Sequence, residues 1–474
     1  MKRLVTQLET YAVPIAFLIL CYFFAQHANL KVPYVLAELT ARLARNLVLT
    51  LSLVIPVVAG LGLNFGIVLG AMAGQSALIL VRHWHLTGIM GFTVALAIAT
   101  PTAIVLGWLV GRLLNRAKGR EMITGIIASF FANGVYSLFF LFAVGSGPAL
   151  MRWAHAGGSG PILLIAGVVL VGAVLIVRFF LAGAQATAEL VPSTAPVWLK
   201  PAAITVGGLL LATHVLGLVT VTDTELIQPQ GFGLRTSVTL DWSAHPATAT
   251  EPARPEGKVA GALDELGAIR PFYKSELKAP AATDTSAMDK YELDKLWGNW
   301  SIPLGTFGAV VLVCLAIWFL LGTKLGQEMR ALGQDMHIAG VLGIGVDQTR
   351  VIAIVLSTVL AAWGQMVFLQ NLGTINVYSS HEQVGMMAVA ALLIGGASAS
   401  EAKIVHALLG TLLLHLLMLL SAAAGPNLFP DNKSGGAQLG EYVRCSAAYG
   451  VIALALALHA YKEARRRASE QERS

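Results

Sequence analysis

The sequence predicts an all-α polytopic membrane protein, with about 10–12 transmembrane or half-membrane helices and a polar external insertion. Three observations carry this class. Of 474 residues, 56% are hydrophobic and 12% charged, whereas a soluble domain carries about 25% charged residues. Across the first 220 residues the acids are Glu9, Glu38, Glu121 and Glu189, each at the edge of an apolar run. A carboxylate in hydrocarbon costs several kcal/mol, which is reason enough to keep the spans free of them. Finally, apolar runs of membrane-crossing length recur along most of the chain.

In order, these runs fall near 10–26, 46–64, 65–82, 88–113, 122–145, 160–181, 197–221, 304–322, 349–370, 384–398, 404–424 and 441–460. The first follows Lys2-Arg3 but lacks a small-residue cleavage site, so it reads as an anchoring helix and not a secretory leader. The runs at 46–64 and 65–82 read as separate passes or as halves of a broken helix. Basic clusters at Asn115–Arg120, at Lys324 with Arg330, and at Lys462, Arg465, Arg466 and Arg467 face the cytoplasm under the positive-inside rule. Lys31, Arg42, Arg45 and Arg82 then lie outside, against that rule. The net charge of +6 reads as this bias, with the lipid bilayer as partner and no nucleic acid.

Three regions follow: N-terminal helices over 1–221, an external insertion over 222–303, and C-terminal helices over 304–474. The insertion holds 12 acids and 8 bases, a net charge of −4, which suits an external face. Within it, Gly233 to Trp242 is loosely strand-like, and Ala287 to Trp297 fits an amphipathic helix that leaves Trp297 and Trp300 at interfacial depth.

Missing chemistry narrows the function. There is no G-x-x-x-x-G-K-[ST] loop, no H-E-x-x-H and no G-x-S-x-G, so the chain has no nucleotide cradle or hydrolase motif of those kinds. Cys21, Cys314 and Cys445 match no metal or redox spacing. His214, His406 and His415 stand in apolar runs without clustered partners, and read as helix-packing residues, so no metal site is assigned. Paired intramembrane carboxylates for ion coupling are absent, which points to an energy source on another chain.

The polar residues of the spans are neutral amides: Asn64, Gln75, Asn133 and Gln365. They suit either an uncharged polar solute or helix–helix hydrogen bonds. Asn64 and Phe65 lie in Gly60-Leu61-Gly62-Leu63-Asn64-Phe65-Gly66, with Gly70 and Gly74-Gln75 beyond. Such clustered glycines permit a broken helix, which membranes tolerate only where it lines a cavity or faces protein. A second interrupted segment, Ala390 to Gly396, suggests an inverted repeat around a central pathway. Asn64, Phe65, Gln75, Gly395 and Gly396 are therefore candidates for the translocation path.

Residues 323–346 are too polar to span and too short for a domain. They read as one short amphipathic helix, a turn, and the start of the next span, on the cytoplasmic side. A rigid helix there suits a lever between a soluble partner and the bundle.

This stretch carries a resemblance. Gly326-x3-Arg330-Ala331-Leu332-Gly333, then Ala339 and Gly343-Ile344, resembles the coupling segment of ABC importer permeases of the branched-chain amino acid and ribose (simple sugar) type. Leu360-Ala361-Ala362-Trp363-Gly364, Ala390-Ala391 through Ile394-Gly395-Gly396, and Gly62 to Gln75 are similar to further elements of that family. The resemblance implies a non-enzymatic permease subunit of the bacterial inner membrane, paired with a second permease, identical or related. It also implies two cytoplasmic ATPase subunits holding ATP and Mg, and a periplasmic or lipid-anchored binding protein; no cofactor is then needed on this chain. Arg330, Gly333, Ala339, Gly343 and Ile344 would couple to the ATPase. Two departures stand out: Ser-Ala-Ser-Glu-Ala-Lys replaces the family's glycine pair after Gly396, and the 222–303 insertion is far longer than the family's external loop. The cargo is a small polar solute, with the acid-free spans favouring a sugar or nucleoside over an amino acid. The rivals are an ATP-independent secondary transporter or channel, and a membrane enzyme or assembly factor that works through the insertion.

Overall fold

A computed structural model describes residues 2–84, 86, 88–143, 239–241, 263, 268–270, 285–372, 374–398, 401–428, 442, 446 and 450. The expected spans at 160–181, 197–221 and 441–460, together with His214, Cys445, the basic tail and most of the insertion, lie outside the described residues. Met1–Gly134 and Gln230–Ser474 form one unit, so the N-terminal and C-terminal helices pack together; Val135–Pro229 form another. Of the second, only the end of helix α6 is described.

The chain begins with α1 (Lys2–Ala28), α2 (Val32–Ser52) and α3 (Val54–Val58). The second apolar run thus starts at residue 32 and not 46. Glu38 takes Arg42 at 2.7 Å and Arg45 at 3.6 Å, and this mutual neutralisation lets the polar turns continue the helix. The glycine-rich break is real: Gly60 and Gly62 have φ of +73° and +71°, a region open to glycine but costly for other residues. The chain then re-enters as α4 (Ile67–His83).

Next come α5 (Gly88–Arg116) and α6 (Glu121–Ala143). Helix α5 buries Gly91, Ala95, Ala99, Ala103, Gly107 and Gly111, a small-residue stripe recurring every fourth position. Its opposite face exposes Ile89, Met90, Ile104, Val105 and Leu109, as a lipid-facing surface should. The stripe lies on α11 (Val346–Leu372): a Cβ at Gly107 would come within 2.9 Å of Val355 Cα. Gly70 and Gly74 of α4 press on the same helix, where a Cβ would sit 2.2 Å from Thr358 O and 2.3 Å from Ala362 O. Water drives no association between helices in lipid, so close backbone packing at small residues holds this core together.

The insertion returns to the bundle through β1 (Thr239–Asp241), β2 (Ala268–Ile269), α7 (Thr285–Asn299) and β3 (Ile302–Pro303). A strand forms within the stretch expected to be strand-like, and a helix covers the residues expected to be amphipathic. Leu293 is exposed, however, and no apolar face of that helix is buried among the described residues. Helix α7 docks on the N-terminal half of α2, where Lys31 Nζ meets Glu292 at 2.9 Å and Trp300 Nε1 donates to Thr40 Oγ1 at 3.3 Å. Strand β1 pairs antiparallel with β4 (Thr374–Asn376), and β2 with β3.

Helix α8 (Leu304–Gly322) leads into α9 (Lys324–Gln334) and α10 (Met336–Val341). Two short helices therefore replace the single helix and turn expected over 323–346. Each has its own cap. Thr323 Oγ1 accepts from Gly326 N, while Asp335 Oδ1 accepts from His337 N and Ile338 N. After α11 and β4 come α12 (Val384–Ile394) and α13 (Ile404–Leu428). Among the described residues, Val32–Val58, Gly88–Arg116, Leu304–Gly322, Val346–Leu372 and Ile404–Gly425 are long and apolar enough to cross a membrane. The all-α polytopic membrane class stands.

Candidate functional site

The expected coupling residues gather at one corner of the bundle. Helix α9 buries Gly326, Met329 and Leu332, and leaves Arg330 exposed. Gly333 sits directly on the break after α3: a Cβ there would lie 2.3 Å from Val58 O. Ala339 is buried. Gly343 has φ +82° and ends α10: its N donates to Gly340 O, and Ile344 N reaches back to Ala339 O. That pair of bonds is a Schellman cap, which needs a left-handed residue. Around it, Ile338, Val341 and Leu342 are 58%, 76% and 72% exposed, an apolar tip on an otherwise polar corner. A shallow open groove beside the tip is lined by Lys118, Met336, His337, Gly340, Val341 and Val346.

Behind the tip is a buried charge that the sequence reading missed. Arg350, four residues into α11, has a fully buried side chain and meets Glu121 of α6 at 2.6 Å. Its Nε donates to Asn115 Oδ1 at 2.8 Å, and its NH1 lies 2.9 Å from Met336 Sδ. Asn115 Nδ2 in turn donates to Asp347 O, and Lys118 pairs with Asp347 at 2.7 Å. One guanidinium thus ties the end of α5 to the starts of α6, α10 and α11. The available signal was a lone arginine inside an apolar run and a lone acid opening another, each needing a partner.

Of the path candidates, Asn64 and Phe65 sit in the break between α3 and α4. Asn64 Nδ2 donates to Ser357 Oγ of α11 at 3.3 Å, and its Oδ1 accepts from Gly66 N. Phe65 O accepts from Ser129 Oγ of α6. Gln75 enters a polar cluster on the turn between β4 and α12. Its Nε2 donates to Asn376 O and Val377 O at 3.1 and 2.7 Å, and its Oε1 lies 3.3 Å from His381 Nδ1. His381 Nε2 is 2.8 Å from Asn133 Oδ1, while Asn133 Nδ2 donates to Glu382 Oε1 at 2.8 Å. Gln365 Nε2 reaches Ser380 O. The amides Gln75, Asn133 and Gln365, far apart in sequence, converge on one turn. The polar groups of the interior are therefore not all neutral, because Arg350 and Glu382 join them.

Gly395 and Gly396 stand apart from that cluster. A Cβ at Gly395 would fall 1.8 Å from His406 O, and one at Gly410 1.7 Å from Ala391 O, so this segment packs backbone on backbone against α13. In the divergent stretch that follows, Ser398 and Glu401 close a turn through Ser398 N to Glu401 O and Glu401 N to Ser398 Oγ. A hydrogen bond from Lys403 holds the Glu401 carboxyl below its usual range.

Comparison with known proteins bears on the whole arrangement. The family described as "Branched-chain amino acid transport system / permease component" matches residues 36–435. The chain is 32% identical over 96 residues to the autoinducer 2 import system permease protein LsrC of Enterobacter sp. (strain 638), covering 20% of this chain and 27% of that protein. It is 31% identical over 114 residues to LsrC of Yersinia pseudotuberculosis serotype O:1b (strain IP 31758), covering 24% and 32%. To the high-affinity branched-chain amino acid transport system permease protein LivH of Escherichia coli (strain K12) it is 30% identical over 131 residues, covering 26% and 41%. The matches thus span about a quarter to two fifths of those relatives' length. No solved structure matches.

Proposed function

The chain belongs to the family of branched-chain amino acid transport system permease components, and from that premise we propose that it is the membrane subunit of a binding-protein-dependent ABC importer. It moves a small polar solute by ATP-driven alternating access across a bacterial inner membrane. Two cytoplasmic ATPases hold the nucleotide and Mg, a second permease completes the pathway, and a periplasmic or lipid-anchored binding protein delivers the cargo. The 222–303 insertion, docked through α7, adds to the external surface that meets that protein.

The observation that carries this reading is the α9–α10 corner. Its exposed Ile338, Val341 and Leu342 give a soluble partner something to grip, since contiguous exposed apolar surface marks an interaction site. Gly333 rests on Val58 without an intervening side chain, so a push on the corner reaches the broken segment that holds Asn64 and Phe65 directly. Arg330 projects from α9 into solvent, where an acidic group of the partner can meet it. Arg330, Gly333, Ala339, Gly343 and Ile344 are accordingly the coupling residues, while Asn64, Phe65, Gln75, Gly395 and Gly396 stay with the translocation path.

The test is co-expression with the neighbouring ATPase and binding-protein genes, followed by reconstitution in liposomes. Uptake should stop when ATP is withheld, and Arg330→Glu should leave hydrolysis while uptake falls. Transport by this chain alone, without ATP, overturns the reading in favour of a secondary transporter or channel. The autoinducer 2 named in one set of relatives and the branched-chain amino acids named in another are the first cargoes to try.

A further inference from the structure

The polar cluster at the β4–α12 turn lies in the outer half of the bundle, beside the strand pair that joins β4 to the insertion. Two helices give its height independently. The positive-inside rule places the basic turn Arg116–Arg120 at the cytoplasmic end, and the Arg350–Glu121 pair lies beside it. Asn133 is twelve residues beyond Glu121 on α6, about 18 Å at roughly 1.5 Å per residue. Gln365, bonded to Ser380 O, is fifteen residues beyond Arg350 on α11, about 22 Å on the same count. A hydrocarbon core is about 30 Å thick, so both heights fall inside it.

Among the described residues, the cluster is closed on one side and open on the other. Gln75 and His381 are fully buried, but Asn133 and Glu382 are half-buried and Gln383 is exposed. Lipid cannot cover a carboxylate and two amides at that depth without a cost of several kcal/mol. Glu382 bonds Asn133 and has no ion-pair partner among the described residues. Behind it, Gln365 Oε1 is buried without a hydrogen-bond partner, an acceptor left over in the same polar pocket.

We infer that Asn133 and Glu382 form a solute-recognition site on the wall of the aqueous translocation path, one that takes neutral or cationic hydrogen-bond donors and rejects anions. This rests on the permease reading above, and adds to it which face lines the path and which charge the path admits. A carboxylate only accepts hydrogen bonds, so hydroxyl or ammonium groups satisfy Glu382, whereas a solute carboxylate or phosphate meets repulsion. Asn133 is held with its amide nitrogen toward Glu382 and its oxygen toward His381. His381 is in turn backed by Gln75, which the Asn376 and Val377 carbonyls lock in place. The wall is therefore rigid before any solute arrives.

Thiol accessibility tests this without knowing the cargo. In the assembled importer, with Cys21, Cys314 and Cys445 replaced by alanine, single Asn133→Cys and Gln383→Cys variants are treated in membrane vesicles. The probes are a cationic (ethyltrimethylammonium) and an anionic (ethylsulfonate) methanethiosulfonate. Both cysteines should label, and Leu312→Cys on the lipid face of α8 should not. Adding Glu382→Gln should lower the ratio of cationic to anionic rates about tenfold, as loss of one charge within a few ångströms implies. Gln383→Cys leaves the hydrogen-bonded cluster intact, so it reports even where Asn133→Cys fails to fold. Cysteines inert at both positions, as at a dry interface with the second permease, overturn the inference, and so does a ratio unchanged by Glu382→Gln. Either result leaves ATP dependence of uptake, the test of the importer reading, standing by itself.

Discussion

Arg350→Met is the most informative single change. The guanidinium is fully buried and meets Glu121, itself 13% exposed, at 2.6 Å; Asn115 Oδ1 accepts a second bond at 2.8 Å. Methionine fills much of the same volume but leaves the Glu121 carboxylate without its counter-charge and Asn115 Oδ1 without its donor. Removing one member of a buried pair costs about 3–5 kcal/mol, because the other charge stays behind uncompensated. The same reasoning says that removing both is far milder, so Arg350→Met with Glu121→Leu should regain at least half of the loss. Unfolding in mixed micelles, titrated with dodecyl sulfate and followed by tryptophan fluorescence, measures all three variants. The double-mutant cycle isolates the pair term. A single variant within about 0.5 kcal/mol of the parent, the range of ordinary surface changes, refutes the argument that this pair clamps four helix ends. Under the proposed importer reading, the surviving Arg350→Met protein should retain partner ATP hydrolysis while uptake per ATP drops, since α10 loses its tie to α11.

Two further changes test the glycine geometry. Gly343→Val forces a β-branched residue to φ +82°, a strain of about 1–2 kcal/mol; thermal unfolding should show it, and hydrolysis should uncouple from uptake although nothing lies within 4 Å of the new Cβ. Gly395→Ala places a methyl 1.8 Å from His406 O, so α12 and α13 must separate. Size-exclusion chromatography in detergent should show loss of the monodisperse peak, and a normal profile would refute the packing assignment.

Much of the architecture was legible because it follows from solvent. Apolar runs of about 20 residues satisfy their backbone in lipid as helices, and the class is readable from composition and run length. The break at Gly60–Gly66, the strand near Thr239 and the helix ending at Asn299 were legible from local chemistry as well. The segment 323–346 was half legible. Its polarity and length marked it as a connection between spans, but Asp335 caps a second short helix where a plain turn was expected.

Pairings at long range were not legible. Arg350 with Glu121, His381 with Asn133, and Asn133 with Glu382 join residues more than two hundred positions apart, and no periodicity in the sequence encodes such distances. The close backbone packing of Gly395 against His406, and of Gly410 against Ala391, is likewise a matter of the fold. By itself, then, the sequence determined that this chain crosses a bilayer many times as helices, and where those helices break. Only the tertiary structure decided which polar groups meet. A buried charge finds its partner through the fold of the whole bundle, whereas hydrophobic length and glycine conformation act within a single segment.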